Sequence, residues 1–207
     1  MKILIPIIFV LIPFNGITQL LDDMKQSFES KPKVMLKLGT RNSFISNRFV
    51  KIRDVQIGFN YKNITKIGLG YNWLATDVFR PLVIEGQIVQ ENKGELKMRY
   101  LAPFVEYTFL KKEKYSCAIP VQLGFGKTLF EYRNGSNELK KTKPISIAFY
   151  EPAITFEYIV LKYIGIGGGI GFRLMFIGNK RLNDNFTAPF YLLRAKIFFG
   201  DVLKDIL

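Results

Sequence analysis

The 207-residue chain contains no histidine. That absence removes the imidazole of every Ser-His or Cys-His dyad and the commonest metal ligand. Cysteine is nearly missing too: Cys117 alone excludes an intrachain disulfide and any cysteine-cluster metal site. Acidic residues are few beside basic ones, 17 against 30, which leaves a formal charge of +13. Past Phe14 no apolar run approaches the roughly 18 residues of a membrane-spanning helix, and no helical stripe of useful length is visible. Nucleotide loops are missing as well, although two stretches imitate them. In "YIGIGGGIGFR" (Tyr163 to Arg173), G-x-G-x-x-G counted from Gly165 or Gly167 needs glycine where Ile170 or Phe172 stands. In "GFGKT" (Gly124 to Thr128) a Walker A loop needs glycine where Val121 stands. Neither stretch leads into a helical pattern, so no cofactor or metal is expected.

What is present is strand-forming material. There are 19 Phe and 10 Tyr, hydrophobic residues reach 48%, and charged residues stay at 23%, which excludes a disordered chain. The N-terminus has the three parts of an export signal: Lys2, the apolar run Ile3 to Phe14, and the small-x-small site Gly16-Ile17-Thr18 before Gln19. That run contains two prolines and is too short to cross a bilayer as a helix. With no cysteine after it, a lipoprotein anchor is excluded. The expected organisation is a signal peptide at 1–18, a short periplasmic leader at 19–32, a β-barrel at 33–200 and a tail at 201–207.

From Val34 onward the texture is period-2 alternation. Strands are expected at about Lys33–Arg41, Phe49–Tyr61, Ile64–Trp73, Leu96–Phe109, Tyr115–Tyr132, Ile145–Val160, Tyr163–Ile177 and Pro189–Gly200. The third shows the pattern best: Thr65, Ile67, Leu69, Tyr71 and Trp73 alternate with Lys66, Gly68, Gly70 and Asn72. Links near 62–63, 111–114 and 161–162 are tight, whereas 42–48, 74–95, 133–144 and 178–188 read as longer polar loops. An even strand count with alternating short and long links is what an outer-membrane barrel predicts. The fold expected is therefore all-β, an eight-stranded antiparallel up-and-down transmembrane barrel. The competing architecture is a soluble lipocalin-like barrel.

In a membrane barrel the apolar face points to lipid and the polar face fills the lumen. A lumen charge network is expected from Glu106, Glu151, Glu157, Arg173, Arg194 and Lys196, with Lys66, Asn72 and Gln122 on the same face. Gly165, Gly167, Gly169 and Gly171 would share that face as a glycine row, leaving room for Arg194 and Glu157. Trp73, Tyr107, Tyr158, Tyr163 and Phe199 stand where aromatic girdles belong.

Catalysis is not expected. Glu151 and Glu157 are six residues apart on one strand face, about 20 Å by strand rise, too far to cooperate as acid and base. Cys117 falls on the lipid side. The reading is an integral protein of a bacterial outer membrane with a structural or partner-binding role through its loops. A lipid- or lipopolysaccharide-modifying enzyme without histidine and a narrow solute channel are the alternatives. Lys111, Lys112 and Lys114 lie in a periplasmic turn, and Lys140, Lys141, Lys143, Lys180 and Arg181 in outer loops, where lipopolysaccharide phosphates would be partners. Loops 74–95 and 133–144 are the places for a protein partner in an envelope complex. No aromatic platform or recognition helix accompanies the charge, so nucleic acid is not a partner.

The segments "YEPAITFEYIVLKYIGIGGGIGFR" (Tyr150 to Arg173) and "APFYLLRAKIFFGD" (Ala188 to Asp201) resemble small outer-membrane β-barrel proteins of the Bacteroidota. The signal ending before a glutamine is similar to that group too. The resemblance implies compartment and fold and transfers no catalytic or binding residue. No peptidoglycan-binding domain is expected after the barrel.

Overall fold

The computed structural model describes residues 14–84, 87–133, 137–161, 164–178 and 186–197. The expected export signal through residue 13, and Tyr163, Lys180, Arg181, Phe199 and the tail at 201–207, lie outside the described residues. Alternating residues make ten strands: β1 (Lys33–Ile45), β2 (Arg48–Tyr61), β3 (Thr65–Leu74), β4 (Phe79–Ile84), β5 (Gln87–Lys111), β6 (Tyr115–Arg133), β7 (Leu139–Lys141), β8 (Ile145–Leu161), β9 (Ile164–Ile177) and β10 (Ala188–Ile197). Eight of them close an antiparallel ring in the order β5-β3-β2-β1-β10-β9-β8-β6, with β6 pairing back onto β5. The short β4 and β7 pair only with β5 and β6 and extend the loops beyond the ring.

Two links depart from the expected pattern. Residues 42–48 do not form a long loop: β1 runs on to Ile45, pairs with Arg48, and turns through Ser46 and Asn47 alone. Both turn residues have positive φ, 45° and 63°, the left-handed pair that matches strand twist in a two-residue hairpin. Arg41, Asn42 and Ser43 look loop-like because they are polar, but a strand lining a polar interior is polar too. Residues 74–95 are likewise largely strand, since β4 pairs with the first part of β5.

The leader is more ordered than its sequence promises. Helix α1 (Phe14–Phe28) ends before Pro32 and carries Lys25 in its last turn, where a cation suits the helix dipole. It rests on the outer wall at the turn end of the ring, the end that carries the turns at 62–63 and 112–114. Ser27 and Thr65 share a buried hydroxyl hydrogen bond of 2.7 Å, Tyr107 donates to Asp23 at 2.9 Å, and Phe28 packs edge-on against Tyr61 at 4.9 Å. Thr65 belongs to the outer face by alternation and is buried because α1 covers it.

The wall is inside-out relative to a soluble barrel. Ile57, Leu101, Phe125, Ile154, Ile170 and Leu193 are 48–69% exposed on the outside. Lys37, Arg41, Lys66, Glu106, Glu151 and Arg173 are buried inside. Apolar packing occurs in the interior as well, most of it at the loop end, with a smaller cluster of Ala153, Phe190 and Leu192 beside the glycines of β9. Ile45, Val50, Ile52, Leu96, Met98, Phe149 and Phe186 belong to the loop-end cluster, with the Phe149 ring 5.2 Å from Tyr100 and 6.1 Å from Phe186.

Candidate functional site: a filled lumen

Strand alternation delivers the interior residues, and register brings them together. At mid-height Glu151 on β8 is the hub. Arg41 Nη1 approaches Glu151 Oε2 at 2.8 Å, Arg173 Nε donates to Oε1 at 2.6 Å, and the Tyr100 hydroxyl donates at 3.2 Å. Gln122 donates to the same carboxylate and accepts from Gln56 at 3.3 Å. The second Arg41 nitrogen donates to Asn72 Oδ1 at 2.5 Å and lies 3.4 Å from Asp54. Arg41 and Arg173 also stack over Phe190 and Phe149. Two arginines face two carboxylates in this layer, so its charge is balanced.

Nearer the turn end a second layer forms around Glu106. Lys37 and Lys66 each reach one of its oxygens at 2.5 Å, and Lys196 meets Glu157 at 2.9 Å. Arg194 lines the same layer beside a cavity of about 20 Å³, close to the room one water needs. Past this layer the interior opens at the tight turns into a vestibule of about 460 Å³, lined by Lys66, Lys111, Lys112, Glu113, Glu157 and Lys196. At the other end the apolar cluster closes the ring.

All six expected charge-network residues thus face inward, but they fall into two separate layers. Glu151 and Arg173 lie in one, and Glu106, Glu157, Arg194 and Lys196 in the other. The ion pair of Glu157 is made by Lys196. The glycines sit on the inner face of β9 opposite the large inward residues of β10. Gly171, Gly169, Gly167 and Gly165 pair with Phe190, Leu192, Arg194 and Lys196 in turn. A Cβ on Gly167 would lie 2.7 Å from the Phe156 carbonyl oxygen, and one on Gly169 would lie 2.8 Å from the Thr155 methyl.

Sequence reasoning missed Lys37, Arg41 and Asp54, which take part in both layers of cross-lumen contacts. The signal was available. Lys37 and Arg41 alternate with Leu36, Leu38 and Thr40, and Asp54 alternates with Arg53 and Val55, within the strands expected there.

Among the described residues no cluster of carboxylates or cysteine suits a metal ion. Glu106 and Glu151 are each neutralised by two cations, so the arrangement orders the barrel and leaves neither carboxylate poised for proton transfer.

Comparison with solved structures matches this architecture. The structure resembles Neisserial surface protein A, with a TM-score of 0.56 and 10% identity over 82% of this chain and 98% of that one. It also resembles a major outer membrane protein from Thermus thermophilus, with a TM-score of 0.54 and 12% identity over 79% of this chain and 98% of that one. The fold is that of a small outer-membrane β-barrel. A third similar outer-membrane barrel is Ail, the attachment invasion locus protein of Yersinia pestis, solved with the heparin analogue sucrose octasulfate. Its TM-score is 0.51 and its identity 9%, over 81% of this chain and 99% of that one. No protein-family model and no curated protein matches the chain.

Proposed function

We propose that this chain is an integral, non-conducting protein of a bacterial outer membrane that works as a structural element and presents its outer loops to partners. The carrying observation is the pairing of an exposed apolar wall with an interior crossed by ion pairs and closed by the Phe149–Phe186 cluster. An exposed belt of this kind is favourable only in lipid. The filled interior leaves chemistry and recognition to the surface outside the belt, where the β4–β5 hairpin and the β6–β7 extension project beyond the ring. A small barrel of this fold, Ail, was solved with a heparin analogue, and Lys140, Lys141 and Lys143 at the β6–β7 extension of this chain suit an anionic partner. The mature chain begins at Gln19, which leaves Gln19–Phe28 of α1 on the turn-end wall.

Fractionation with heat-dependent gel migration tests the reading. The protein should sediment with outer membranes, run faster unboiled than boiled, and have the intact mass of a chain starting at Gln19. Recovery in the soluble periplasmic fraction overturns it. Affinity purification from native membranes then identifies the loop partner.

A further inference from the structure

The lumen absorbs the buried charges, but it does not account for the cations on the outer wall. Register places several of them side by side. Arg53 on β2 lies directly opposite Trp73 on β3, Trp73 lies opposite Arg99 on β5, and Arg99 lies opposite Lys127 on β6. Each faces outward, because its chain neighbours are the buried residues Ile52 and Asp54, Met98 and Tyr100, and Thr128. Arg53, Arg99 and Lys127 are all exposed.

Two features make this row unusual. Arg99 and Lys127 are like charges directly across one strand pair, with Cβ atoms about 5 Å apart, an arrangement that destabilises a sheet unless an anion lies between them. Among the described residues none of Arg53, Arg99 and Lys127 makes an ion pair. The outward carboxylates Glu95 and Glu131 are ion-paired elsewhere, to Lys97 and Lys141, and Arg99 meets Glu131 only through a weaker electrostatic attraction.

The next outward row toward the turn end is apolar throughout. Val55, Tyr71, Leu101 and Phe125 are also opposite one another in turn and are 37–49% exposed. Tyr71 stacks on Trp73 at 5.8 Å, joining the two rows. The cations therefore stand on the edge of the apolar belt, at its loop end. Only a ligand with an anionic head and apolar chains uses both rows at once; a free anion gains nothing from the second. Arginine forks match phosphate oxygens in a bidentate way, and tryptophan favours the boundary between headgroups and hydrocarbon.

We propose that Arg53, Trp73, Arg99 and Lys127 form a wall site for the phosphate groups of a phosphorylated lipid in the outer leaflet. The site rests on the membrane reading above, with the loop end facing outward. It differs from the cations of the outer loops in being built on paired strands, so its geometry is held by the barrel.

Native mass spectrometry of the barrel in a zwitterionic detergent tests it. The probes are a bis-phosphorylated diglucosamine lipid of the lipid A type, the same lipid with its phosphates removed, and inorganic phosphate. The phosphorylated lipid should bind about tenfold or more tighter than the dephosphorylated one, a difference that charge-assisted pairs readily supply. Inorganic phosphate should not bind. The R53A/R99A/K127A variant, judged folded by its unboiled gel migration, should lose the preference, whereas K140A/K141A/K143A in the loop should keep it. If the triple wall variant does not fold, R99Q alone should weaken the preference. Equal binding of the two lipids, binding of inorganic phosphate with the same affinity, or an unchanged preference in the folded variant overturns the site. A chain that stays soluble and monomeric without detergent overturns the membrane reading itself, which separates the two failures.

Discussion

Arg41 and Glu151 meet at 2.8 Å inside the barrel although 110 residues separate them in the chain. They sit on β1 and β8, three strands apart round the ring, so the contact ties the first strand to the far wall. Glu151 also receives Arg173, Tyr100 and Gln122, which makes one carboxylate the junction of five strands.

Removing that carboxylate leaves two buried arginines with Asp54 as their one remaining counter-charge in the layer. Glu151→Gln should destabilise the barrel by about 3–5 kcal/mol, the usual cost of leaving buried charge uncompensated. Urea unfolding in detergent, followed by gel migration, measures it. A loss below about 1 kcal/mol would show that solvent, not Glu151, neutralises the arginines.

The glycine row makes a volume prediction. Gly169→Phe and Gly167→Phe should prevent barrel formation, because their inward side has no room for even a Cβ. Gly168→Ala should fold normally, since the nearest atom its Cβ would meet is the Leu192 carbonyl oxygen on the neighbouring strand at 3.5 Å. The unboiled gel band reports both. Normal assembly of Gly169→Phe would refute the inward placement of the row.

Conductance tests the closed interior. The wild-type protein should give no steady ohmic current in a planar bilayer. Phe149→Ala combined with Phe186→Ala removes the two rings that meet at 6.1 Å at the loop end. That variant should cost several kcal/mol of stability, roughly 3–5 per ring, while the ion-pair layers still block current. Steady current through the wild type would revive the channel alternative.

The β6–β7 extension carries a pH signature. Lys141 donates to Glu131 at 2.8 Å and holds its carboxyl below the ordinary value of 4.5. A carboxylate depressed in the folded state contributes stability above its unfolded pKa and loses it as pH falls through the folded one. The hook should therefore hold at neutral pH and release in acid below 4.5. Carboxyl NMR should show Glu131 returning to the ordinary range in Lys141→Ala; an unchanged titration would mean another group depresses it.

Much of this fold was legible because a barrel strand writes its two faces in period 2. Ile57, Leu69 and Leu101 lie outside and Lys66, Glu106 and Arg173 inside, and the alternation that separates them is local to each strand. Strand ends were harder to read. At Arg41 to Ser43 polar residues mark interior and loop alike, so polarity alone does not separate the first hairpin from a loop. Helix α1 was hidden because its short apolar face gains its meaning only from Thr65, Tyr61 and Tyr107 on the wall it covers.

Which residues would be inward was set by the sequence itself, through alternation and the forced dihedrals of turns such as Ser46-Asn47. Which inward residues would touch was decided by the closed ring. Shear and register bring Arg41 to Glu151, sort the charges into two layers, and line up Arg53, Arg99 and Lys127 on the outer wall. Those distances depend on strands that are remote in the chain, and no local pattern encodes them.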